Sequence, residues 1–178
     1  RFLFASTSEV YAGTLQEFEL TIPTPETSGI ALTNLYEPRT TYMLSKIVGE
    51  TLCHHSALPY TIFRPHNIFG PRMGMAHIIP EQLQRIWETE EPGEINVPSA
   101  EHTRAFCYID DAVEMLMRII ESNNCSGLTL NVGTQDPEVT MEHVVKTCIQ
   151  CSEKNLSVQT LAPIVGSPER RAPDMTLT

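Results

Sequence analysis

A tyrosine and a lysine four residues apart, Tyr42 and Lys46 in the stretch TTYMLSK, are residue types whose spacing suits proton chemistry. On a helix such positions share one face, with Cβ atoms roughly 5–6 Å apart. A phenol ordinarily titrates near 10 and is a poor base at neutral pH; moving it by about three units takes roughly 4 kcal/mol of preferential stabilisation of the phenolate. A neighbouring ammonium supplies part of that, and a bound cationic nicotinamide supplies more. A phenolate so poised removes a hydroxyl proton as hydride leaves the same carbon. Lysines occur only at 46, 146 and 154, against five tyrosines, so chance alone places such a pair in fewer than about one comparable sequence in ten.

The surrounding pattern predicts the elements that must hold this pair. RFLFAST at 1–7 reads as a buried strand, followed by a polar loop containing PTPETSG. Pro38 suits a first helical turn, and 38–57 then runs helical with Met43, Leu44, Ile47, Val48 and Leu52 along one side. YTIFRP at 60–65 is a second strand, and 77–90 is an amphipathic helix with Ile79, Leu83, Ile86 and Trp87 inward. EINVPS and AFCYI read as strands, and Asp110 or Asp111 as the cap of a helix to about Glu121 with Val113, Leu116, Met117 and Ile120 as its apolar stripe. LTLNVG at 128–133 is a further strand, Thr140 caps a helix over 141–151, and the tail 162–178 reads as irregular. Alternating strands and helices predict an α/β fold with a largely parallel sheet. Such sheets bind ligands at the carboxyl ends of their strands, here Thr7-Ser8-Glu9, His66-Asn67, Asp110-Asp111 and Gly133-Thr134.

Composition narrows the partners. The chain of 178 residues carries a formal net charge of −10, which argues against nucleic-acid and anionic-membrane binding. An anionic small molecule needs only a few well-placed arginines. No apolar run is long enough to span a membrane. The cysteines at 53, 107, 125, 148 and 151 read as reduced thiols of a cytoplasmic protein, with Cys148 and Cys151 serving helix packing.

Six segments in fixed order are ASTSEVY at 5–11, YMLSK at 42–46, RPHNIFGPRMG at 64–74, TRAFCYIDDA at 103–112, LNVG at 130–133 and RRAPD at 170–174. Together they resemble the extended short-chain dehydrogenase/reductase family, specifically its nucleotide-sugar epimerases, dehydratases and decarboxylases. The resemblance covers essentially the whole chain. It implies the C-terminal portion of a Rossmann-type parallel sheet plus a small mixed substrate-binding lobe. Residues 1–70 and about 104–134 would belong to a partial NAD-binding domain, and about 71–103 and 135–178 to the lobe. NAD is the cofactor implied, a nucleotide-diphosphate sugar such as a UDP-sugar the substrate, and a homodimer the assembly.

By resemblance, Thr7 hydrogen-bonds the sugar oxygen being oxidised, Tyr42 is the general base, and Lys46 holds the nicotinamide ribose and lowers the phenol's pKa. Pro65 lies against the nicotinamide, Ser8 and Asn67 meet the substrate, and Arg104, with Arg170 or Arg171, grips the diphosphate. Glu9 is a further catalytic candidate. Serine at position 8 stands where the 4,6-dehydratases carry an aspartate, so Thr7-Ser8-Glu9 looks more like UDP-glucuronate decarboxylase. A 4-epimerase is the alternative within the family, and a non-catalytic sugar-nucleotide-binding module the alternative outside it. No glycine-rich G-x-x-G-x-x-G occurs, so the chain is expected to begin within the fold and to bind NAD weakly or not at all by itself.

Overall fold

The computed structural model describes residues 1–164 and 167–178. Aromatic and aliphatic residues start the chain as strand β1 (Phe2–Ala5), followed by a 3-10 turn (Ser8–Tyr11) and a short helix α1 (Ala12–Glu17). Helix α2 (Pro38–His54) begins with proline at its first turn, where the missing N–H costs nothing. Strands β2 (Tyr60–Pro65) and β3 (Ile68–Phe69), helix α3 (Ile78–Glu88), and strands β4 (Gly93–Pro98), β5 (Thr103–Ala105) and β6 (Cys107–Tyr108) follow. The remainder is α4 (Ile109–Glu121), β7 (Thr129–Val132), β8 (Glu138–Thr140), α5 (Met141–Ser152), β9 (Leu156–Leu161) and β10 (Arg170–Arg171).

These elements form two compact units. The first comprises 1–68, 105–137 and 171–178, and the second 69–104 and 138–170. Residues 171–178, assigned to the lobe on sequence, thus group with the first unit.

In the first unit a parallel sheet runs in the order β1-β2-β7. Phe2 pairs with Tyr60 and Ala5 with Phe63, while Ile62 pairs with Thr129 and Pro65 with Val132. The apolar cluster Cys107, Ala112, Ile119, Leu130 and Val132 lies between this sheet and α4, with Phe63, Ile68 and Met115 packed on it. Arg1 ties the sheet's first strand to the C-terminus of α4, its guanidinium donating to Ile119 O at 2.7 Å, where a cation also meets the negative end of the helix. In the second unit β4 and β9 pair in parallel, and α5 buries Met141, Val144, Val145, Cys148 and Ile149. Thr140 caps α5 as its sequence predicts, accepting from His143 N at 3.1 Å.

Several helix faces differ from their sequence reading. On α2 the buried residues are Thr40, Met43, Glu50 and Cys53, while Leu44, Val48 and Leu52 face outward. On α3 the inward residues are Gln82 and Ile86; Leu83 is exposed and Trp87 is 80% exposed. On α4 Ala112 and Ile119 face in, with Val113, Met117 and Ile120 outward. In each case the apolar set is wider than one helical stripe, so periodicity alone does not choose which edge meets the sheet. Neither Asp110 nor Asp111 caps α4: Tyr108 occupies that position, and the two carboxylates lie in the first turn, where the helix dipole favours them. The expected strand AFCYI breaks at Phe106 into β5 and β6. The loop after Thr7 holds the 3-10 turn and α1, and the stretch after α5 holds β9.

Candidate active site

The carboxyl ends of β1 and β2 bring most of the sequence candidates into the first unit. Thr7 follows β1 directly. Its backbone is extended, and its Oγ1 accepts from Glu9 N at 3.2 Å, capping the 3-10 turn that carries Ser8 and Glu9. One lone pair is thereby used, which leaves the hydroxyl proton as a donor.

Tyr42 and Lys46 stand on α2, and the Tyr42 side chain is 51% exposed. The Lys46 ammonium donates to Ala5 O at 2.9 Å and lies 5.6 Å from the ring centroids of both Tyr42 and Phe4. The approach of α2 to β1 depends on Gly49: a Cβ there would sit 2.1 Å from Phe4 Cζ. The glycine lets an aromatic ring fill the space beneath the helix, and the ring in turn floors the lysine.

Pro65 ends β2 in register with Val132. Asn67 takes a left-handed conformation at φ 42°, which asparagine tolerates better than most residues. Its side-chain amide donates to Ala105 O at 3.0 Å, and its carbonyl accepts from Cys107 N at 3.2 Å.

Glu9 is bracketed by cations. Arg171 reaches one carboxylate oxygen at 3.0 Å and Arg39 the other at 3.1 Å. Arg170, adjacent in sequence, points elsewhere: in the second unit it pairs with Glu138, which also accepts from Thr103 Oγ1 at 2.6 Å. The Arg170 guanidinium beside Glu138 holds that carboxyl below its usual range, with its partial burial opposing and Thr103 and Arg104 assisting. Arg104 donates to Thr103 O at 2.7 Å. Around Arg170 the lining includes Glu101, Glu138 and Glu169, an acidic setting that does not by itself cradle a diphosphate.

Beneath these residues lies a buried polar network that the sequence reading missed. Arg64, next to the last residue of β2, grips Glu50 of α2 with its Nε at 2.8 Å and its Nη2 on the second oxygen. Glu50 also accepts from Ser6 Oγ, and Arg64 Nη1 donates to Tyr11 OH and to Glu26 O. Burial raises the Tyr11 phenol above its ordinary value, against the pull of Arg64. The visible signal was an arginine inside the otherwise apolar YTIFRP and a glutamate one turn beyond Lys46.

His66, 2% exposed, adjoins this network. Asn131 donates through Nδ2 to Thr24 O at 2.9 Å and to Asp174 O at 3.0 Å, so its Oδ1 faces His66 Nε2 at 3.0 Å. Nε2 therefore carries the proton, and among the described residues the buried Nδ1 has no hydrogen-bond partner. Burial drives the imidazole down to about 4; Asn131 opposes this, and Arg171 and Arg64 add to it.

Residues 1–133 match the family described as NAD dependent epimerase/dehydratase. The chain belongs to that family. Among curated relatives, UDP-glucuronic acid decarboxylase 5 of Arabidopsis thaliana is 29% identical, over 99% of this chain and 50% of its own length. Among solved structures, UDP-glucuronic acid 4-epimerase from Bacillus cereus in complex with NAD superposes with a TM-score of 0.76 at 22% identity, over 99% of this chain and 53% of the other. UDP-glucose 4-epimerase from Thermotoga maritima gives 0.75 at 23% identity, over 99% and 55%. The chain thus spans about half the length of these epimerase/dehydratase relatives. The likeness to the solved epimerases establishes the shared Rossmann-type fold.

Proposed function

We propose that this chain is the part of a NAD-dependent nucleotide-sugar enzyme that oxidises the sugar at C4 to a transient ketone. The observation that carries the reading is the Lys46 ammonium, fixed at 2.9 Å on Ala5 O and 5.6 Å from the Tyr42 ring. Tyr42 takes the proton of the C4 hydroxyl, and Thr7 donates its hydroxyl proton to the same sugar oxygen. NAD, when bound, supplies the hydride acceptor and returns the hydride to the sugar. Lys46, Tyr42 and Pro65 would hold its nicotinamide end, and half-exposed Tyr42 with its lysine beneath suits that fit. No glycine-rich loop for the pyrophosphate occurs among the 178 residues. Within the first unit, Asn67 and Arg171 are the candidates for holding the sugar diphosphate.

The finer reading is decarboxylation of a UDP-glucuronate-like substrate. A C4 ketone is β to the C6 carboxylate, so carbon dioxide leaves C5 without a metal, C5 takes a proton, and the net reaction is redox-neutral. Support comes from the decarboxylase relative, 29% identical over nearly the whole chain. Further support is Glu9, which two guanidiniums engage and which is therefore not arranged as a proton donor to a leaving hydroxyl, as dehydration would need. In the full-length protein, substrate labelled at C6 releases labelled carbon dioxide; retention of the label in a 4-inverted sugar would assign epimerisation instead. Tyr42→Phe lowers turnover roughly 10²- to 10⁴-fold, and undiminished turnover would end the reading. The outward stripe Leu44, Val48 and Leu52 on α2 suits pairing with a second copy; Val48→Glu then yields a monomer in sedimentation.

A further inference from the structure

We infer that Glu50 is a positioning residue for the Tyr42–Lys46 helix, the buried hub that sets the segments bearing Thr7, Glu9 and Pro65 against it. The inference rests on the reading of Tyr42 as the base. Ser6, Arg64 and Tyr11, joined through the hub, each lie within two residues of a site residue. Ser6, which donates to Glu50, precedes Thr7. Glu50 lies one helical turn beyond Lys46, at the i+4 position that shares its face. Arg64 precedes Pro65. Tyr11, which accepts from Arg64, ends the turn that carries Ser8 and Glu9.

Four of the five N–H donors of Arg64 are engaged. Nε and Nη2 hold the two oxygens of Glu50, and Nη1 is shared between Tyr11 OH and Glu26 O. A planar fork of this kind fixes direction as well as distance, which a lysine does not. Stability alone does not call for such a pair, because well-packed apolar residues of similar volume often do as well or better. A buried bidentate pair fixes orientation, and the orientation at stake here is that of α2 over β1 and β2. The charged and titratable groups facing Glu50 are Arg64 from β2, Tyr11 from the 3-10 turn and Cys53 on its own helix; Glu26, whose carboxylate accepts from Asn131 N, meets Arg64 only through its backbone carbonyl.

The test is the pH–rate profile of the full-length enzyme carrying Glu50→Gln or Arg64→Lys. The Glu50→Gln substitution removes a negative charge and leaves Arg64 positive. If Glu50 acted only through its charge, the limb that reports formation of the base would move to lower pH in Glu50→Gln and stay put in Arg64→Lys, which keeps the charge. If Glu50 positions the helix, both variants loosen Lys46 beneath Tyr42. The limb then moves to higher pH in both, and kcat falls on the order of 10²-fold while the substrate KM changes little. A limb that is unmoved or lowered in both, with kcat within about twofold, overturns the inference. Should Glu50→Gln fail to fold, Arg64→Lys together with Ser6→Ala decides it by the same upward shift. Tyr42→Phe measured alongside separates the two claims: an active Tyr42→Phe retires the base itself. An inactive one, with Glu50→Gln and Arg64→Lys behaving as wild type, retires only the hub.

Discussion

Two of the arginine–glutamate pairs, one in each unit, share the same chemistry in different settings. Arg64 and Glu50, in the first unit, have side chains 5% exposed each. Arg170 and Glu138, in the second, are 53% and 15% exposed. Water competes for the second pair at every moment, so its geometry is negotiable and its glutamate is replaceable by another anion. The first pair has no such competitor, and any shift of either partner leaves a charge unpaired in the interior. Burial, rather than residue identity, turns an ion pair into a fixed joint.

The comparison is broken most directly at Arg64. Arg64→Met strands the Glu50 carboxylate and lowers unfolding free energy by about 3–5 kcal/mol, measured by urea titration. A loss below about 1 kcal/mol would place the pair with the exposed one. The double variant Arg64→Met with Glu50→Leu recovers most of that stability yet not the turnover, which separates holding the fold from holding the site.

His66 gives a loss of comparable size, spread over pH. Its folded value of about 4 lies below the ordinary 6.5. The unfolded chain therefore binds the extra proton first as pH falls. Stability is full above about 6.5 and declines by about 1.4 kcal/mol per pH unit toward 4. His66→Phe flattens that slope in denaturant titrations at stepped pH, provided the larger ring is accommodated; an unchanged slope would assign the acid sensitivity elsewhere.

Gly49→Ala comes next. Its Cβ meets Phe4, forcing α2 away from β1 at a cost of about 1–3 kcal/mol, and thermal unfolding reads the loss. Smallest is Glu138→Gln, at or below about 1 kcal/mol, with that difference shrinking further in high salt.

Much of this was legible in the chain. Pro38 marked the start of α2, YTIFRP coincided with β2, and Tyr42 and Lys46 fell on one face as their spacing required. What escaped has physical causes. LSVQTL is half polar and mostly exposed, so β9 carries little hydrophobic signal. Trp87 looks like a core residue by type, yet Gln82 takes the inward place because the apolar residues of α3 spread over more than one face. Nothing local in the sequence marks Glu50 and Arg64 as partners, since residues on different elements meet only once the chain is folded. Pairing across the fold is a three-dimensional fact, and a one-dimensional pattern registers only its oddity, an arginine among aromatic and branched neighbours.

Arg171 meets Glu9 across 162 positions of chain. During translation, then, a nascent polypeptide halted anywhere between Lys46 and that arginine already possesses Thr7, Tyr42 and Lys46 but only Arg39 to hold the glutamate. The second cation comes only with the segment that carries Arg171, so a chain cut ahead of it grips the Glu9 carboxylate from one side alone.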